Sequence, residues 1–132
     1  MRPEPEQLAA VPLLASLKPQ QLQAIATLSE LRSEPEGTEL AGEGAPGYAL
    51  FIIIDGTATV TSGDAELATL GPGDFFGEIA LLAGKSRRTA TVMAASPVTL
   101  AVMFGSDFRV FERDFPEASA QMKHAMDERL ER

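Results

Sequence analysis

The first part of the chain shows apolar residues at a helical spacing. Pro19 suits the first position of a helix, where its missing N–H costs nothing. A shorter helix is predicted from Gln7 to Ala15, interrupted or started around Pro12. The residues after Pro19 that follow the i, i+3, i+4 stripe of an amphipathic helix are Leu22, Ile25, Ala26 and Leu28.

Between Gly37 and Phe104 the pattern changes to short apolar or alternating runs separated by glycine-bearing turns. Short strands at close spacing predict an antiparallel sandwich, roll or barrel. Parallel strands are disfavoured because each would need a crossover of about a dozen residues or more. The predicted strands are Tyr48–Ile54, Thr57–Thr61, Glu66–Leu70, Thr89–Ala94 and Val98–Phe104.

The last part of the chain is again helical in its pattern. Ser106 is predicted to cap a helix that carries Phe108 and Phe111, and Pro116 to begin a second helix. We therefore expect one domain, with N-terminal helices over about 1–36, a β region over 37–104, and a hinge with C-terminal helices over 105–132. The apolar stripe of the last helix is Ala118, Met122, Ala125, Met126 and Leu130.

Composition narrows the classes of function. The chain has 132 residues and a formal net charge of −8, which disfavours direct binding of nucleic acid. It has no cysteine, which removes disulfides, iron–sulfur clusters and cysteine nucleophiles. No apolar run approaches the roughly 20 residues that span a bilayer, so we expect no membrane insertion and a cytoplasmic protein.

The basic residues are unevenly placed. None occurs between Ser33 and Gly84, and then Lys85, Arg87 and Arg88 follow within a few positions. One positive spot on an acidic domain suggests a small anionic ligand. A solvated turn with spare charges is an equally good interpretation of this observation alone.

The stretch from Gly73 to Val92 has the chemistry for holding an anion. Gly77 permits a turn that brings the backbone close to a ligand. The next five residues are good helix formers, and the first N–H groups of a helical turn can donate to an anion. Arg88 can meet two phosphate oxygens, and Thr89 adds a hydroxyl. Glu78 only accepts hydrogen bonds, which suits a sugar hydroxyl.

These residues resemble the phosphate-binding cassette of the cyclic nucleotide-binding domain family. Its pattern is approximately Phe-Gly-Glu-(Leu/Ile)-Ala-Leu-Leu, a variable loop, and Arg-(Ser/Thr/Ala)-Ala-(Thr/Ser)-Val. Phe76–Leu82 and Arg88–Val92 match it nearly residue for residue. The resemblance covers roughly Leu8 to Leu130 and implies a jelly-roll-like antiparallel β-roll flanked by helices.

The resemblance also implies roles for individual residues. Glu78 would accept from the ribose 2′-hydroxyl, and the N–H groups of Ile79 and Ala80 would hold the cyclic phosphate. Arg88 would be the main charge partner of the phosphate, with Thr89 bonding to phosphate or base, while Arg87 would lie on the opposite face of its strand. The implied pocket wall is Val60, Leu70, Phe76, Ala90 and Val92.

Selectivity for the base is less defined. The positions that read adenine in the bacterial activator of this family fall near Arg129 and Leu130, where the activator has a Thr-Ser pair. Arg129 could stack on or bond to a purine, or be solvated. Cyclic AMP is favoured over cyclic GMP as the ligand because the sequence looks bacterial.

The expected function is therefore a non-enzymatic sensor in which ligand binding moves the C-terminal helices to control an attached or partner effector. A ligand-free domain of the same fold, acting in protein interaction or as a homodimer through the last helix, is the alternative. A cupin-type metalloenzyme would need several histidines on its strands. The one histidine, His124, lies outside the strands and is expected to be solvated, so no metal is predicted.

Overall fold

The structure is a computed structural model that describes residues 1–41, 49–77 and 91–130. The chain begins with helix α1 (Pro5–Ala9), a 3-10 turn (Pro12–Leu14) and helix α2 (Pro19–Thr27). Helices α3 (Gly105–Asp114) and α4 (Pro116–Leu130) follow the last strand. The strands between them are β1 (Glu30–Glu34), β2 (Glu39–Ala41), β3 (Ala49–Asp55), β4 (Ala58–Ser62), β5 (Ala65–Leu70), β6 (Phe75–Phe76), β7 (Thr91–Ala94) and β8 (Val98–Phe104).

The strands form two four-stranded sheets. The first sheet has the order β1-β8-β3-β6 and the second has the order β2-β7-β4-β5. Every strand pair in both sheets is antiparallel. The prediction of a mainly antiparallel β-roll with flanking helices is confirmed.

The central strands of the first sheet bury side chains on both faces. In β3, Phe51 and Ile53 join the core between the two sheets, while Leu50 and Ile52 join the core beneath the helices. Strand β8 divides in the same way, because successive side chains of a strand point to opposite faces. The molecule therefore has three layers: helices, the first sheet and the second sheet.

The helical layer covers one face of the first sheet. Leu22, Ile25 and Ala26 of α2 are buried there, on the predicted stripe. The end of α2 is held by Ser29, whose hydroxyl donates to the Ile25 carbonyl at 2.9 Å. The guanidinium of Arg2 donates to the carbonyls of Thr27 and Ser29 at the same end.

The predicted interruption of the helix over Gln7–Ala15 is present: α1 and the 3-10 turn are separate pieces, because Pro12 has no N–H to continue the helix. The prediction for the next helix cap was wrong. Ser106 does not cap α3: the helix begins at Gly105, with Phe104 at the capping position and no side-chain cap. Pro19 and Pro116 begin their helices as predicted.

Three strands were not predicted. Strand β1 begins at Glu30, inside the region assigned to N-terminal helices. Its residues pair with β8 from Glu30 opposite Val102 to Glu34 opposite Val98. The polar sequence of β1 gives no strand signal, so its conformation depends on this non-local pairing. Strands β2 and β6 have three and two residues, too few for a periodic pattern.

Gly56 tests the packing of the turn between β3 and β4. Its φ is +92°, and a Cβ there would meet the carbonyl oxygen of Pro97 and lie 2.8 Å from Cγ1 of Val98. Gly56→Ala should lower the free energy of unfolding by about 1–2 kcal/mol for the backbone conformation and about 1–3 kcal/mol more for the steric contact. Urea denaturation measures this loss.

Gly37→Ala is the matched control. Gly37 has nearly the same φ, +89°, but a Cβ would meet no atom within 4 Å. It should therefore show the backbone cost alone. Equal losses of stability in the two variants would contradict the close approach of Gly56 to Pro97.

Candidate ligand-binding site

The core between the two sheets brings together four of the predicted wall residues. Phe76 and Val92 are buried in this core, and Val60 and Leu70 are partly buried against it. The strand register explains this grouping. On β4, Val60 lies opposite Val92 of β7, and Ala58, two residues before Val60, lies opposite Leu70 of β5. Their contact with a ligand remains a prediction.

Phe76 is fixed in this core by Phe51. The two residues are paired in register on β6 and β3, and their rings stack with centroids 4.8 Å apart and planes 7° from parallel. Sequence reasoning did not select Phe51. The alternation of β3 could have placed it on the inner face, but only the pairing with β6 shows that it supports Phe76.

Gly77 follows directly and has a φ of +91°. This is the left-handed region, which is strained for a residue with a Cβ but open to glycine. The structure therefore supports the sequence argument that Gly77 makes a turn that other residues would resist. It is also the last described residue before the predicted cassette continues.

The remaining cassette predictions lie outside the described residues. They are Glu78, Ile79, Ala80, Arg88, Thr89 and Ala90. The described residues do show where the segment 78–90 begins and ends. At one end Phe76 is buried in the inter-sheet core, and at the other end Thr91 precedes Val92 of the same core.

The turn before β6 is well ordered by hydrogen bonds. The carboxylate Oδ2 of Asp74 accepts from the N–H of Gly71 at 2.8 Å, and the N–H of Asp74 donates to the Gly71 carbonyl at 3.0 Å. The backbone of Ile53 bonds to both Gly73 and Asp74, each at 2.8 Å. The entrance to the cassette is therefore tied to β3.

Aromatic packing dominates the junction between α3 and α4. The rings of Phe108, Phe111 and Phe115 follow one another with centroids 5.9 and 5.7 Å apart. Beside the junction, the hydrogen bond from Arg113 holds the pKa of the Asp114 carboxyl below its usual range. Both groups are exposed, and exposed pairs contribute little to stability. Packing, rather than charge, therefore holds this junction.

The other predicted positions are on α4. The backbone of Arg129 lies in this helix, but its side chain lies outside the described part of the structure. His124 is exposed on α4. Within residues 1–41, 49–77 and 91–130 there is no group of three or more His, Asp or Glu side chains placed to hold a metal ion. Among the same residues, no helix has the length and apolar character needed to cross a membrane.

Comparison with known proteins identifies the family. Residues 31–114 match the sequence model of the cyclic nucleotide-binding domain. The chain belongs to the cyclic nucleotide-binding domain family. This match runs from the second residue of β1 to the end of α3, and it includes the inter-sheet core and both ends of the cassette.

Curated members of this family provide more detailed similarity. The chain is 37% identical over 110 residues to a cyclic nucleotide-gated potassium channel of Mesorhizobium japonicum, covering 83% of this chain and 30% of the channel. It is 38% identical over 104 residues to a cAMP-dependent protein kinase regulatory subunit of Aspergillus fumigatus, covering 77% of this chain and 25% of that protein. The chain thus spans about a third or less of these relatives.

The fold also matches a solved structure. The Catabolite Activator Protein of Thermus thermophilus superposes with a TM-score of 0.81 and 26% sequence identity, covering 91% of this chain and 58% of that one. The cyclic nucleotide-binding domain is a regulatory, non-catalytic domain family. The resemblance and the fold predicted from the sequence are both confirmed.

The stack between Phe51 and Phe76 can be measured by a double-mutant cycle. Phe51→Leu, Phe76→Leu and the double variant would be unfolded in urea. Because the rings contact each other, the two single losses should not add, and the interaction energy should be about 0.5–1.5 kcal/mol. Strict additivity would contradict the stacked geometry.

Proposed function

We propose that this domain binds a cyclic nucleoside monophosphate, with cyclic AMP preferred over cyclic GMP, and passes the occupied state to an effector through its C-terminal helices. The observation that carries the proposal is the position of the cassette. The Phe-Gly-Glu motif begins directly beside the apolar inter-sheet core, at Phe76 and Gly77, and the second half of the motif ends there at Val92.

The chemistry of each half suits one part of such a ligand. In the proposed site the backbone N–H groups of Ile79 and Ala80 hold the cyclic phosphate. The Glu78 carboxylate accepts a hydrogen bond from the ribose 2′-hydroxyl. Arg88 neutralises the phosphate with charge-assisted hydrogen bonds, and Thr89 adds a further contact. The half-buried Val60 and Leu70, with Ala90, provide an apolar surface for the sugar and base.

The preference for cyclic AMP is supported by named relatives. One is the cAMP-dependent kinase regulatory subunit described above. A solved structure of cAMP-bound PfPKA-R is similar to this chain, with 26% sequence identity and a TM-score of 0.82. A cGMP-dependent protein kinase of Drosophila melanogaster is also 38% identical over 97 residues. Titration with both nucleotides measures the discrimination between them.

The effector is proposed to be a separate domain or partner. The relatives named here include an ion channel and a kinase regulatory subunit, and this chain spans only a fraction of each. The described residues provide the binding fold and two terminal helices. A ligand that contacts both the cassette and α4, including Arg129, would favour one arrangement of these helices through its differential affinity. We place this protein in the cytoplasm, where cyclic nucleotide signals act.

Titration calorimetry tests binding and the role of Arg88. Wild-type protein should bind cyclic AMP more tightly than cyclic GMP. Arg88→Ala should weaken binding of cyclic AMP by about 10- to 100-fold, because it removes a charged partner of a desolvated phosphate. Arg87→Ala is the matched control, since it removes the same charge from the neighbouring position.

The outcomes separate the hypotheses. Equal weakening by both substitutions would show that the net positive charge matters, and not a specific contact with Arg88. Absence of binding to the wild-type protein at millimolar concentrations of either nucleotide would favour the alternative, a ligand-free interaction module of the same fold.

Hydrogen exchange tests the proposed output. Saturation with cyclic AMP should change the exchange of backbone amides across α3 and α4, because the ligand selects one arrangement of the terminal helices. Mass spectrometry of peptides from 106–132 measures the change. Identical exchange with and without ligand in this region would contradict helix repositioning, even if binding is intact.

A further inference from the structure

Strand β5 is an edge of the second sheet. The sheet has the order β2-β7-β4-β5, so within the described residues β5 pairs with β4 and with no strand on its other side. Backbone N–H and C=O groups on the outer side of an edge strand can pair with another extended chain. The three other edges of the two sheets differ from β5 in length or in covering.

Those other edges are short or protected. Strands β2 and β6 have three and two residues. Strand β1 has five residues, but three of them are charged, and the N–H of Leu31 donates to the Met1 carbonyl at 2.7 Å. Short edge strands and charged edge residues both hinder pairing with another chain. Strand β5 has six residues, of which only Glu66 is charged.

An irregularity in β5 exposes a leucine. On β4, Val60 lies opposite Ala68 and Thr61 lies opposite Glu66, so Leu67 is the extra residue of a β-bulge. The Leu67 side chain is 59% exposed. The edge therefore offers an apolar contact beside its outward-facing backbone groups.

The second sheet carries only negative charge. No Lys or Arg occurs in 34–84 or 89–108, and these ranges contain all four of its strands. Its charged side chains are Glu39 on β2, Asp64 in the turn between β4 and β5, and Glu66 on β5, and all three are exposed. Among the described residues, none of the three has a salt-bridge partner.

The basic residues of the described ranges lie on β1 or in the helical parts of the chain. They are Arg2, Lys18, Arg32, Arg109, Arg113, Lys123 and Arg129. The negative charge of the second sheet is thus unbalanced within that sheet. Such a surface repels nucleic acid and anionic membranes, and it also repels the same acidic edge of a second copy. A cationic partner is the one that it attracts.

We infer that the β5 edge binds an extended polypeptide segment rich in lysine or arginine by strand addition. Backbone hydrogen bonds to β5 hold the segment, Leu67 contacts one of its apolar side chains, and Asp64 and Glu66 select its basic residues. The surface uses the outer side of residues 64–69 and needs no nucleotide. It therefore goes beyond the proposed function, and its tests use nucleotide-free protein.

A titration with two matched peptides tests the charge preference. The probes are labelled eight-residue peptides, one of alternating lysine and valine and one of alternating glutamate and valine. The lysine peptide should bind at least about tenfold more tightly, and raising the salt from about 50 to 300 mM should weaken it severalfold, because salt screens exposed charges. Fluorescence anisotropy measures both effects. Equal binding of the two peptides would contradict the inference.

A charge reversal tests the position of the site. Glu66→Lys should weaken binding of the lysine peptide by about 3- to 10-fold, because it replaces attraction by repulsion at the edge. Glu6→Lys is the matched control, since Glu6 is exposed on α1 and the change in net charge is the same. Equal weakening by both substitutions would show that the overall charge attracts the peptide, and the assignment to β5 would be wrong.

Hydrogen exchange tests the backbone contact in the wild-type protein. The lysine peptide should slow the exchange of β5 amides that β4 does not bind by at least about threefold, and leave β1 unchanged. Binding without this change would overturn strand addition. Slow exchange of these amides in dilute protein alone would show that the chain itself covers the edge. Protection that grows with protein concentration would identify a second copy as the occupant, and either result would overturn the inference.

Discussion

The first sheet must bury apolar side chains on both of its faces, and this constraint organises the rest of the molecule. Its central strands, β3 and β8, send alternate residues into two separate cores. Neither face can be exposed to water without losing a large part of the apolar burial that stabilises a domain of this size. Both faces of the first sheet must therefore be covered, one by the helices and the other by the second sheet.

The two faces of the first sheet are covered by different elements. The helical side is filled by large aromatic and aliphatic residues that are fully buried, among them Phe108, Phe111 and Met122. Each core also has partly buried apolar residues at its margin, such as Leu17 and Leu28 on the helical side and Val60 and Leu70 toward the second sheet.

Two aromatic residues at the start of the cassette link these sides. Phe76 stacks on Phe51 between the sheets, and Phe75 packs with the helices. Both residues lie within the range 31–114 that matches the family.

Much of the proposed site could be predicted from the sequence because its motif is local. The order Phe76-Gly77-Glu78, the second block from Arg88, and the spacing between them identify the family without any structure. Gly77 was predicted to make a special turn, and its φ of +91° agrees. Whether Glu78, Arg88 and Thr89 meet a nucleotide was a prediction from the sequence, and these residues lie outside the described structure.

The sequence by itself determined the features that depend on residues close together along the chain. These are the apolar strands β3 and β8, the helix starts at Pro19 and Pro116, and the cassette motif. Only the tertiary structure decided that the polar segment Glu30–Glu34 is a strand, since its partner β8 is far along the chain. It also decided that Phe51 supports Phe76 and that Phe75 belongs to the helical core. Pairing and layer assignment depend on contacts between distant residues, which no local pattern encodes.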